Sequence, residues 1–91
     1  MIIKVCACCH DGDRKRFMFQ APHNANISLG DRVLCETRYG DCKATVKGIT
    51  NLSDEEPTYR ILLAMTGATH PLKKIKGVYQ YRALEENLPF N

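Results

Sequence analysis

Apolar and polar residues alternate with a period of two along most of this chain, in short stretches broken by turn residues. That pattern predicts half-buried strands. In residues 2–9, "IIKVCACC", the odd positions Ile3, Val5, Ala7 and Cys9 form the drier face, and Lys4 marks the even face as the wetter one. "HDGD" follows, and Asp-Gly between two such runs predicts a hairpin. The return strand is "RKRFMFQ", with Phe17 and Phe19 on one face and Arg14, Arg16 and Gln20 on the other. "APHNANISLG" has little apolar periodicity and reads as a connecting loop. "DRVLCET" alternates again, with Val33 and Cys35 opposite Arg32, Leu34 and Glu36. After the "RYGD" turn, "CKATVKGI" returns with Cys42, Ala44, Val46 and Gly48 inward.

An acidic loop, "NLSDEEPT", separates this hairpin from "YRILLAM", a fifth strand that buries Tyr59, Ile61, Leu63 and Met65. In "LKKIKGVYQY" the three-residue step from Leu72 to Ile75 suits a helical turn or a bulge; Ile75, Gly77 and Tyr79 then alternate like a strand. Tyr81, Leu84 and Leu88 share one helical face, which predicts a short helix over 81–88, stopped by Pro89. The expected architecture is a small, mainly antiparallel β-barrel of five or six strands with a short C-terminal helix, one domain over 1–91. Closing the sheet removes edges that so short a chain could not otherwise cover. Its expected core is Ile3, Val5, Phe17, Phe19, Val33, Val46, Ile61, Leu63 and Met65.

Composition narrows the class. With 91 residues, 44% hydrophobic and 25% charged, the chain has the values of an ordinary globular domain. Thirteen basic against ten acidic residues leave a net charge of +3, well short of a dedicated nucleic-acid binder. No apolar run approaches the roughly 18 residues of a membrane span, and the start lacks the pattern of a secretory signal. The expected location is therefore the cytoplasm, where thiols stay reduced.

The cysteines raise the sharpest chemical question. "CACCH" at residues 6–10 holds three of the five, and Cys35 and Cys42 follow. A structural zinc site wants four convergent ligands, usually from paired C-x2-C knuckles, and no second knuckle is present. An odd count excludes a fully paired disulfide framework within one chain. Cys9, Cys35 and Cys42 read instead as small buried hydrophobes. His10 points the opposite way from Cys9 on a strand, so no Cys-His nucleophile pair is set up. No phosphate-binding loop, dinucleotide fingerprint or metalloprotease motif occurs. The reading carries no catalytic residue, cofactor or metal.

Residues 27–49, "ISLGDRVLCETRYGDCKATVKGI", show an apolar residue, Gly-Asp, a Val-bearing strand, a Gly turn and a second Val-bearing strand. This resembles small bacterial and phage barrels: the one at the amino end of the primosomal helicase, polymerase-suppressor-type domains, and short phage or prophage proteins. The resemblance implies an SH3-like barrel and carries no functional residue with it.

Two functions are expected in order. The first is a non-enzymatic interaction module that binds a protein partner or a second copy of itself. Its surface is an apolar outer patch of Leu34, Ile49 and Leu62, with Val78 beside them, covered in part by the C-terminal helix or otherwise by an oligomer contact. The alternative is nucleic-acid binding through Lys73, Lys74 and Lys76, with Arg14 and Arg16 second.

Overall fold

The computed structural model describes residues 1–81. Of the helix expected over 81–88, all but Tyr81 lies outside the described residues. The elements in chain order are β1 (Ile2–His10), β2 (Phe17–Gln20), β3 (Arg32–Thr37), β4 (Gly40–Ser53), α1 (Pro57–Thr66) and β5 (Lys73–Gln80). The strands pair in the order β1-β2-β5-β3-β4, and β4 pairs back onto β1, so the ladder closes into a barrel. Four ladders are antiparallel; the β2–β5 seam is parallel and short, Phe19 opposite Lys73 and Gln20 opposite Lys74.

The first turn forms at Asp11 and Gly12, with Gly12 at φ 81° and the Asp13 N–H donating to the His10 carbonyl at 3.0 Å. β2 is shorter than expected, because 14–16 belong to the loop. Three consecutive cations disfavour a paired edge, and the Asp13 carboxylate holds the Lys15 N–H at 2.9 Å. The β3–β4 turn has Arg38 and Tyr39 at its tip and closes at Thr37 opposite Gly40.

The expected fifth strand is a helix. Tyr59 and Leu63 are four apart, a spacing that serves a strand and a helix face equally. The punctuation decides: Pro57 opens the helix, and Gly67 at φ 73° ends it, its N–H returning to the Leu63 carbonyl. Leucine, alanine, methionine and arginine between them favour helix. Tyr59 is buried and Leu63 partly so, but Ile61 and Met65 are exposed and leave the core list.

The helix explains which way β1 faces. Cys6 and Cys8, on the face expected to be wet, point into the barrel with Phe19, Val33, Cys35, Ala44, Val46 and Ile75. Ile3 and Val5 face outward and are buried beneath α1, in a second cluster with Tyr59 and Leu72. Buried residues therefore stand on both faces of β1. Cys9 and Cys42 are only half-buried, so of the three thiols expected inside, Cys35 alone is fully so.

Bulges account for the other parity changes. Ala7 faces Gly48 and Cys8 faces Val46, so Lys47 is an extra residue in β4. Beyond it the inward positions shift, and Ile49 comes opposite Cys6 and packs on the barrel core rather than outside. In β5, Lys76 and Tyr79 are the residues passed over by β3. Ile75 and Val78 therefore both point inward, three apart, while Tyr79 turns out.

Candidate functional site

β1 and β4 run antiparallel from Ile2 opposite Ser53 to Ala7 opposite Gly48. Their outer surface beside α1 is the floor of a groove about 17 Å long, at roughly 3.3 Å per residue. One cavity, of about 500 Å³, is lined by Ile2, Thr50, Asn51, Leu52, Ser53, Glu56, Thr58 and Leu62. A second, of about 300 Å³, is lined by Val5, Ala7, Arg16, Met18, Gly48, Ile49, Thr50 and Leu62. Thr50 and Leu62 line both, so the two lie side by side. The floor at the second is low because Ala7 and Gly48 stand opposite each other; a Cβ on Gly48 would meet that of Ala7 at 3.5 Å.

The helix supplies the wall. Tyr59, Leu62 and Leu63 turn toward the barrel. Tyr59 is locked there by a 2.8 Å hydrogen bond between its hydroxyl and His70 Nδ1, and burial, with the charge of Asp54, holds its pKa above the ordinary value. Thr58, Ile61, Leu62 and Met65 make a second stripe at i, i+3, i+4 and i+7. In this stripe Ile61 is 57% and Met65 82% exposed, and Ile2 at the near end of the groove is 61% exposed. The groove is charged at its ends. Glu56 stands at the Ser53 end, beside Asp54 and Glu55, which the Met1 ammonium pairs at 3.3 and 3.8 Å, and Arg16, next to Arg14 and Lys15, stands at the Ala7 end.

Of the apolar outer patch read from the sequence, Leu62 lines the groove, and Ile49 borders its second cavity but packs its side chain on the barrel interior. Leu34 does not: it lies between Lys43 and Gly77 in the β4-β3-β5 ladders and is half-buried. The sequence reading missed Ile2, Ile61 and Met65. The Pro57 and Gly67 bracket was the signal that would have found the last two.

The basic residues scatter. Arg14, Arg16, Lys73, Lys74 and Lys76 are all exposed. Lys76 is paired with Asp41 at 3.1 Å, and Lys74 donates to the Gln20 side chain at 3.0 Å. A different basic face appears instead. The Arg32 guanidinium is held by Asp11 at 2.6 and 2.7 Å and lies 5.6 Å from the Tyr79 ring, which Lys43 also approaches at 5.2 Å. Arg38 on Tyr39 and Lys15 on Phe17 repeat the pairing.

The thiols inside the barrel are shifted in opposite directions: the hydrogen bond with Cys8 lowers Cys35, against its burial, while Cys6 and Cys8 are raised. Burial pushes Cys6 up to about 11. Cys8, hydrogen-bonded to Cys35 and buried, is also held above the ordinary thiol range. Among the described residues no three His, Cys, Asp or Glu side chains gather as metal ligands, and no helix is long and apolar enough to cross a membrane. No protein-family model, curated protein or solved structure matches this chain.

Proposed function

We propose that this barrel is a non-enzymatic interaction module, and that the groove between α1 and the β1–β4 ladder is where it docks a protein. One observation carries the reading: Ile2 is exposed at a groove walled by Leu62, and Ile61 and Met65 are exposed on the same helix beside Leu62, with none of them covered by the described residues. Apolar side chains scattered singly over a surface need no explanation, whereas a contiguous strip with charged ends is the anatomy of a contact site. Binding rather than turnover fits the raised pKa of Cys6 and Cys8 and a groove lining in which, among the described residues, Glu56 and Arg16 stand at opposite ends. The SH3-like relation rests on the turn chemistry of 27–49, which falls on the β3–β4 hairpin.

A photo-crosslinking side chain placed in turn at Ile2, Ile61 and Leu34 tests this in the living host. Protein adducts from the first two positions and none from Leu34 are expected. Adducts from Leu34 alone would move the site to the outer face of β3.

A second reading, single-stranded nucleic-acid binding, is favoured by the cation-flanked Tyr79 on the outer sheet face. It shifts the responsible residues from Lys73, Lys74 and Lys76 to Lys43, Arg32 and Tyr79. If it holds, Tyr79→Ala with Lys43→Glu weakens oligonucleotide binding more than Lys73→Glu with Lys74→Glu. The affinity of the unaltered protein falls steeply with salt. A salt-independent gel shift excludes it.

A further inference from the structure

We infer that the occupant of the groove is a second copy of this chain, related by a two-fold axis that passes near Leu62. The inference rests on the docking reading above and names its partner. Two independent features point to self-pairing. The first is the charge order along the groove. Glu56 marks one end and Arg16 the other, with Leu62 and Thr50 lining both halves between them. A two-fold axis through the middle of such a strip reverses one copy against the other. Arg16 of each copy then stands over Glu56 of its mate, and the same contact forms twice, as an isologous interface requires. A partner aligned the other way would bring like charges together at both ends.

The second feature is the helix. α1 presents two apolar stripes, one turned toward its own barrel through Tyr59 and Leu63, the other carrying Ile61 and Met65 outward. A helix apolar on both sides is built to be covered on both sides. The outward stripe borders the groove through Leu62, which is common to the two stripes. In the reversed arrangement each copy's Ile61 and Met65 reach the other's groove, where Ile2 and Leu52 are the facing apolar groups. Leu34, on β3 between Lys43 and Gly77, takes no part.

Sedimentation velocity on the full chain over a wide concentration range tests this. The unaltered protein should be a dimer at micromolar concentration and above. Arg16→Glu and Glu56→Arg should each weaken the dimer about tenfold or more, since every single change puts like charges together at two symmetric contacts. The protein carrying both changes should dimerise again. Ile61→Glu with Met65→Glu should give a monomer whose far-UV spectrum and melting stay those of a folded barrel, because both residues are exposed. Failure of the double charge exchange to restore association would overturn the two-fold arrangement. A monomer at every concentration whose groove positions crosslink a different protein would overturn the second copy while leaving the docking groove in place. A monomer with no crosslink at Ile2 or Ile61 would remove both.

Discussion

Five thiols in one short chain divide by position rather than by neighbour. Cys6, Cys8 and Cys35 are buried in the barrel, whereas Cys9 and Cys42 are half-buried near its surface, where each thiol reaches a backbone carbonyl, Arg14 and Gly40 respectively. Alkylation followed by mass spectrometry should therefore label Cys9 and Cys42 in the native protein, and Cys6, Cys8 and Cys35 only after unfolding. The buried set also has a pH consequence. Cys6 loses its proton near its ordinary value of 9.0 in the unfolded chain but at about 11 in the barrel. Between those values the folded state holds more protons than the unfolded one, so stability must fall as pH rises. The Cys6 contribution is intact below about 9 and lost progressively towards 11, while the Cys8–Cys35 bond raises one partner and lowers the other, so that pair's two shifts oppose each other. Urea titrations at pH 7, 9 and 10.5 should show a falling midpoint. In Cys6→Ala, whose small side chain keeps the site apolar, the alkaline fall should be shallower.

Helix α1 depends on two local devices. One is the Tyr59 hydroxyl, out of water and bonded to His70. Tyr59→Phe keeps the ring packed and deletes that bond, at a cost of about 1 kcal/mol. The other is Gly67, whose left-handed backbone closes the helix and lets the Ala68 N–H reach Leu63 at 3.1 Å. Gly67→Ala should cost about 1 kcal/mol through backbone strain alone, since a Cβ there meets nothing within 4 Å. A strand at this position would assign Gly67 no role. Equal unfolding midpoints for Gly67→Ala and the unaltered protein would therefore contradict the cap.

The barrel as a whole is closed by seams of very different length. β1 and β4 pair over nine positions, while β2 and β5 pair over two. Local opening follows the weakest contiguous set of contacts. Native-state hydrogen exchange should find the strand amides of Lys73 and Lys74 least protected and those of residues 3–8 most protected. Uniform protection around the ring would mean that the barrel opens only by global unfolding.

Strand-forming stretches, both glycine turns and most of the barrel interior were legible in the sequence, because period-two alternation reports directly on a surface that is dry on one side. Val33, Cys35, Ala44 and Val46 are inside as that alternation requires. The face of β1 was not legible. Ile3 and Val5 are apolar because a helix covers the outside of the barrel there, and Cys6 and Cys8 are inside because thiols pack as apolar groups, so both faces carry the same signal. Nor could alternation locate the extra residues at Lys47, Lys76 and Tyr79, since a bulge is a property of two strands in register and neither strand records it alone. The groove is tertiary in the same sense. Ile2, Leu52 and Leu62 come from three elements, and only the closure of β4 onto β1, with α1 laid across that seam, puts them on one surface.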